Sequence, residues 1–446
     1  MRTAHIILLH TVALAAFAPL PGCLPWLLGD DDDDDLECPD DTFSDLDVDT
    51  DSDTDADSDT DSDADAGEPP TWCEANGYIE GDVSILNAGY SEWLRGCRYI
   101  QGDVRIDSTA LTDLSGMDDL TAIGGSLYVF HNAQLTSLSG LDSLAEIAGN
   151  LVINGNGALQ SLAGLGGLVA IGGYVNIEDN ASLESIDGLN ALRFAEGDSF
   201  WITSNPSLQR VDAFDHLYSI KYLDIFSNDA LADVGGFEEL SAVPWSVEIR
   251  YNPALESVWG FDAMAAIEGS VVISGNHSLA SLTGFSALEN LGGDLYLSEA
   301  DAVVELQAFG ALEAVGGGVS IFSNNALVSI EALDGLTSCG AWLSLWNNEQ
   351  LVSLHGLESV STVGENLYVN GNAALERLDG LAGLQNVDGD EIQLLDNESL
   401  PTCEAQELVE LLIANGFEGT AEIDGNGDGE CDDPDSGVDA GTDGGI

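Results

Sequence analysis

Catalysis needs nucleophiles, acids and bases at matched spacings, and the histidines are the scarcest of these here. Beyond the first 18 residues they are His131, His216, His277 and His355, far apart along the chain. There is no His-Glu-x-x-His run and no Gly-x-Ser-x-Gly elbow. Gly197-Asp198-Ser199-Phe200 has the residue types of a nucleophile turn, but it falls where a strand begins. Carboxylate pairs suited to glycoside cleavage are unavoidable among 80 acidic residues, so their presence discriminates nothing. One oxygen-rich stretch is more specific. Asp424-Gly425-Asn426-Gly427-Asp428-Gly429 alternates side-chain oxygens as a calcium loop does, with Asp435 at the twelfth position, though without the bidentate Glu. The alternative for Asp424, Asn426 and Asp428 is an acidic cap loop. No other cofactor is implied. A last set is aromatic: Tyr128, Phe130, Trp201, Phe226, Tyr296, Phe322, Trp346 and Tyr368. Rings like these, if exposed, make platforms for a sugar or a partner protein.

What must position these residues is a repeat. It begins as Gly81-Asp-Val-Ser-Ile85 and Gly102-Asp-Val-Arg-Ile106, then settles into Leu127-Tyr-Val-Phe-His-Asn132, Leu151-Val-Ile-Asn-Gly-Asn156 and Val175-Asn-Ile-Glu-Asp-Asn180. The same frame ends at Asn205, Asn228, Asn252, Asn276, Asn324, Asn348, Asn372 and Asn397, with successive Asn usually 24 residues apart. Each Asn leads into x-x-Leu-x-x-Leu-x-Gly-Leu-x-x-Leu, as in Leu135, Leu138, Gly140, Leu141 and Leu144. Apolar residues at alternate strand positions point inward, and the second and fourth positions point outward. One repeat cannot enclose its own core, so the coils must stack, about 14 of them at roughly 4.8 Å. The Asn amides are expected to bridge neighbouring coils as an internal ladder, and the glycines to allow corners with positive φ. The expected aromatic patch is Phe322, Trp346 and Tyr368 on adjacent coils. In Leu295-Tyr-Leu-Ser-Glu-Ala300 the ladder position is Ala, so either the ladder breaks there or Asp301 substitutes.

The pattern L-x-I-x-x-N-x-x-L-x-x-L-x-G-L-x-x-L-x-x-I-G-G resembles the receptor L domain. Ordinary leucine-rich repeats have N-x-L after the strand; here the spacing is N-x-x-L, as from Asn156 to Leu159. The resemblance covers residues 73 to 431. It implies a mainly β, right-handed parallel solenoid that recognises a ligand outside the cytoplasm and is not an enzyme. The receptors' furin-like region, transmembrane helix and kinase have no counterpart here, so their signalling is not implied. Alternatives are a structural envelope spacer without a specific ligand, and a β-helix enzyme acting on carbohydrate.

The two ends carry different chemistry. Ile6 to Ala18 is apolar apart from His10 and Thr11 and follows Arg2, as in an export signal. Leu20-Pro21-Gly22-Cys23 resembles the bacterial lipobox, which implies lipidation of Cys23; ordinary cleavage after Ala18 is the alternative. Residues 30 to 35 are all Asp, and Asp recurs at nearly every second position from 47 to 65. Such a segment has no apolar face and is expected to be an extended, disordered tether. The expected division is 1–22 signal, 23–70 tether, 71–402 solenoid, 403–431 C-terminal cap and 432–446 acidic tail. Cys73 with Cys97, and Cys403 with Cys431, are expected to tie the two ends of the solenoid. Cys339 takes the place of Ile123 and Ile171 and is expected to be buried; Cys38 has no assigned partner. Thr402 is expected to N-cap a helix running to Ala414, with Leu408, Leu411 and Leu412 facing the last coil and Asn415-Gly416 as its stop. The net charge of -71 argues against nucleic acid as a partner. The expected protein is a monomer, lipid-anchored in a bacterial envelope, in the outer membrane and facing out, with a protein or glycan ligand.

Overall fold

The computed structural model describes Cys73, residues 77–87 and residues 93–429. Cys23, Cys38, the Asp-rich tether, Cys431, Asp435 and the acidic tail lie outside the described residues. The chain is a parallel β-solenoid. Its main sheet has 15 strands in chain order, from Val83–Ile85 to Thr420–Asp424. Each strand pairs in parallel with the equivalent strand of the next coil, so Val175, Asn176, Ile177 and Glu178 face Phe200, Trp201, Ile202 and Thr203. Three narrower sheets of 6, 4 and 7 two-residue strands line the returning parts of the coils.

Burial follows the alternation. In Leu127–Phe130 the first and third side chains are buried and the second and fourth half-buried. One coil buries Leu127, Val129, Leu135, Leu138, Leu141, Leu144 and Ile147 completely. At roughly 1.5–3 kcal/mol for each such side chain, this burial is what holds coil on coil. Midway, the Leu141 position is taken by Phe214, Phe237, Phe261, Phe285 and Phe309, whose rings form one internal column with centroids 4.6–5.3 Å apart. Cys339 is buried and free, and burial pushes its thiol up to about 12.

The Asn residues form the expected ladder, each fully buried. Asn156 Oδ1 accepts from the backbone N–H of Asn132 at 3.1 Å and from its Nδ2 at 3.0 Å. Its own Nδ2 donates to the Val129 carbonyl at 2.9 Å and to Asn180 Oδ1 at 3.1 Å. The ladder starts at Thr109, whose N–H and hydroxyl both donate to Asn132 Oδ1. It breaks at Ala300. Asp301 does not substitute, because its carboxylate faces outward between His277 and Asn325.

Glycine corners with positive φ occur as expected, at Gly116, Gly140, Gly188 and Gly356 among others, and a second set of corners uses other residues. A positive φ also falls on the residue before each rung position, and that residue is often not glycine: Ser108 before Thr109, Glu299 before Ala300, and His131, Asp179, Ser204, Ser227, Tyr251, Ser323, Asn347 and Asp396 before Asn all have φ between 52° and 58°. A left-handed non-glycine residue is locally unfavourable. Where an Asn follows, its buried amide supplies the compensating hydrogen bonds. The paired glycines before each strand serve closeness: a Cβ on Gly173 would lie 2.1 Å from Asn150 Oδ1 and 2.7 Å from the Gly149 carbonyl carbon.

The ends are closed as follows. Cys73 and Cys97 are disulfide-bonded across 24 residues, and the coil they brace already contributes Val83–Ile85 to the main sheet. At the far end the helix is Thr402–Ala414, and Pro401, not Thr402, is its N-cap. The Thr402 hydroxyl donates instead to the Gly427 carbonyl at 3.0 Å, tying the helix start to the last turn. The helix buries Ala405, Leu408, Val409 and Leu412, while Leu411 is exposed. The stripe therefore follows the i, i+3, i+4, i+7 rule. The chain after the helix rejoins the main sheet, with Thr420–Asp424 pairing Glu391–Leu395, so the solenoid continues beyond residue 402.

Candidate functional site

The outward side of the main sheet has two columns of side chains. The second strand positions give Arg105, Tyr128, Val152, Asn176, Trp201, Asp224, Glu248, Val272, Tyr296, Ser320, Ser344 and Tyr368 in register. The fourth positions include Phe130, Phe226, Arg250, Phe322 and Trp346. All eight aromatic residues expected on this face stand on it, and the register sorts them into three groups.

In the first group, Tyr128 and Phe130 stack at 5.4 Å, with the Arg105 guanidinium 5.4 and 5.5 Å from their centroids. In the middle group, Trp201 meets Tyr174 edge-on at 5.7 Å, and Phe226 meets Tyr251 at 5.6 Å. The third group is the most continuous. Phe322 and Trp346 stack at 4.8 Å, and Tyr296 meets Phe322 edge-on at 4.9 Å. Trp346 is 40% exposed. Tyr368 does not complete this group: it pairs Ser344, while Trp346 pairs Asn370. The Tyr368 hydroxyl is 3.0 Å from Glu391 Oε2. Trp342 lies on the same face, donating from Nε1 to Ser320 Oγ at 2.8 Å.

Between the aromatic groups lies a charged cluster that the aromatic reading missed. Arg250 Nη2 is 2.9 Å from both Asp224 Oδ2 and Glu248 Oε2, and Tyr222 hydrogen-bonds Glu248. The Arg250 guanidinium also lies 5.5 Å from the Phe226 centroid. Burial raises the carboxyls of both Asp224 and Glu248, against the opposing pull of Arg250. Stacking the repeats on Asn228 and Asn252 would have placed Asp224 beside Glu248 and Phe226 beside Arg250.

The oxygen-rich loop does not act as a calcium loop at Asn426. Asn426 Oδ1 accepts from the N–H and the Nδ2 of Asn397, both at 3.1 Å, and its Nδ2 donates to the Leu394 carbonyl at 2.7 Å. It is the last rung of the ladder, with its oxygen occupied. Asp424 ends the final strand and accepts from the Gly425 N–H. Asp428 is exposed beyond it. Among the described residues no three His, Cys, Asp or Glu side chains converge as a metal site. The four histidines lie on separate coils, each facing a surface carboxylate: Asp107, Glu239, Asp301 and Glu358. Ser199 only leads into its strand, its carbonyl accepting the Val175 N–H.

Comparison with known families finds the Receptor L domain over residues 96–162. These residues are similar to a receptor L domain. Its 24-residue unit then continues to Asn426 in one register, so the rest of the chain is built on the same leucine-rich-repeat-like plan. A solved structure of a TLR13–ssRNA13 complex is similar at 15% identity and a TM-score of 0.30, covering 77% of this chain and 53% of that one. The chain thus spans about half the length of that structure. No curated protein matches the chain. Receptor L domains and their leucine-rich relatives are typically non-enzymatic and fit a ligand-binding or recognition role.

Proposed function

We propose that this protein is a non-enzymatic recognition lipoprotein of a bacterial envelope, anchored through Cys23 and binding a protein or glycan with the outward face of its main sheet. The observation that carries this reading is the Tyr296–Phe322–Trp346 group, stacked across three coils on a solvent-facing sheet. Trp346 is exposed and Tyr296 and Phe322 are half-buried beside it, and a contiguous aromatic surface of this kind is unfavourable in water unless it is covered in use. Large rings on a rigid scaffold are also the side chains that dominate binding when a partner covers them. The parallel ladder and the Asn rungs fix the spacing of these rings, so little ordering is needed on binding. The Asp-rich segment then acts as a spacer, holding the solenoid off the membrane by self-repulsion.

The test is saturation binding of the fluorescently labelled full chain to intact bacterial cells. The wild type should saturate. Replacing Tyr296, Phe322 and Trp346 together by Ser should weaken binding at least about tenfold, with the circular dichroism spectrum unchanged. Equal binding by the folded triple variant would refute the role of this face.

A further inference from the structure

We propose that the middle of the outward face, centred on Asp224 and Arg250, binds a neutral oligosaccharide. This rests on the recognition reading and names a ligand class for it. Asp224 occupies an outward strand position, yet it is only 7% exposed. Its Oδ2 is held by Arg250, but its Oδ1 is buried without a hydrogen-bond partner. Arg250 Nε and Asn176 Oδ1 are in the same condition. Buried polar atoms are almost always paired, and leaving one unpaired is costly. Among the described residues, these are the buried side-chain atoms left in that state, and all three fall on one face of one sheet.

Their chemistry limits what can pair with them. Asp224 Oδ1 and Asn176 Oδ1 need donors, and Arg250 Nε–H needs an acceptor. A hydroxyl is both. An anion would pair only with Arg250 and would meet Asp224 and Glu248 as like charges. A metal cation would satisfy the oxygens and leave Arg250 Nε–H unpaired. The hydroxyls of a chain of sugar units satisfy all three. Trp201 stands between Asn176 and Asp224 in the register, and Phe226 lies beside Arg250, so apolar ring faces are at hand for stacking. Asn176 and Asp224 are two strand spacings apart, about 10 Å, which favours a chain of sugar units over a single ring. The repeat also departs here from its usual length. Asn205 and Asn228 are 23 residues apart, and the strand from 223 to 226 that carries Asp224 belongs to this shortened coil.

The experiment is titration calorimetry of the full chain with maltohexaose, cellohexaose, mannohexaose and chitohexaose, with oligogalacturonate and calcium chloride as comparisons. At least one neutral hexasaccharide should bind. Trp201→Ala and Arg250→Gln should each weaken that binding at least about tenfold, while Trp245→Ala, at an exposed ring off the sheet face, should change it less than about twofold. Matching thermal midpoints for the variants keep loss of binding distinct from loss of fold, and Asp224→Asn supplies a near-isosteric third variant. The proposal is overturned if none of the neutral sugars binds, if binding ignores Trp201 and Arg250, or if oligogalacturonate or calcium alone binds there. Absent sugar binding together with cell binding that is lost in the Tyr296/Phe322/Trp346 triple variant would remove the oligosaccharide and leave the recognition reading standing.

Discussion

Replacing Ala300 by Asn should repair the ladder and stabilise the protein. The backbone at residue 300 is already in register: its N–H donates to Asn324 Oδ1 at 3.0 Å, as every rung's does to the next. What is missing is the side chain. In a regular rung the amide oxygen accepts from the preceding Asn's N–H and Nδ2, and the amide nitrogen donates to a strand carbonyl and to the next Asn. Asn276 therefore lacks the acceptor that the other Asn residues find, and its Nδ2 donates to the Ile249 carbonyl alone. At about 0.5–1.5 kcal/mol net for each of the restored hydrogen bonds, less about 1 kcal/mol for fixing the side chain, Ala300→Asn should gain about 1–5 kcal/mol. A long repeat array need not unfold in one step, so the assay must be local. Hydrogen exchange read at the Asn276 amide should slow in the variant, and the coils on either side should open less often. Unchanged exchange at Asn276, or a net destabilisation, would show that the ladder is not what binds these coils.

Further outcomes follow from the same structure. Asn180→Ala removes a rung whose oxygen serves Asn156 and should destabilise the adjoining coils by about 2–4 kcal/mol, measured by hydrogen exchange at the Asn156 amide. Cys73→Ser opens a bridge spanning 24 residues and should cost about 3 kcal/mol of local stability, seen as faster exchange in the first coils. Burial raises the carboxyls of Asp224 and Glu248, so the native state holds their protons more tightly than the unfolded state. Stability should therefore fall as pH rises through the window between the ordinary carboxylate range and their raised values. The Asp224→Asn/Glu248→Gln double variant should show a flatter dependence of thermal midpoint on pH than the wild type. The Cys339 thiol, pushed up to about 12 by burial, should resist iodoacetamide at pH 8 until the protein is unfolded.

The repeat was legible because its period is enforced by packing, and a misplaced Leu would leave a core void in every coil it touched. The Asn ladder, its break at Ala300 and the buried Cys339 could be read for the same reason. Errors arose where a residue belonged to the frame but looked like something else. Ile423-Asp-Gly-Asn426 repeats Ile153-Asn-Gly-Asn156, yet its oxygens also fit a calcium loop. Only the pairing of Thr420–Asp424 onto the sheet decides between them. Tyr368 and Trp346 both point outward on adjacent coils, but the Tyr368 hydroxyl bonds to Glu391 on the next coil. Val409 and Leu411 exchanged roles because a short helix leaves its rotation to be fixed by what it packs on. The burial of Asp224, and with it the unpaired oxygen, is set by Arg250 from the next coil and could not be read from either residue alone.

The central claim is that recognition occurs on the outward face of the main sheet. Hydroxyl-radical footprinting of the full chain, free and bound to intact cells, tests it most directly, because other exposed rings supply an internal comparison. Trp245 and Tyr218 are 48% and 57% exposed and lie on the segments that precede the strands, beside a hollow lined by Glu196, Lys221 and Pro244. The account predicts that Tyr296, Phe322 and Trp346 are protected on binding while Trp245 and Tyr218 keep their reactivity. Protection of Trp245 and Tyr218 with the sheet face still reactive would contradict it.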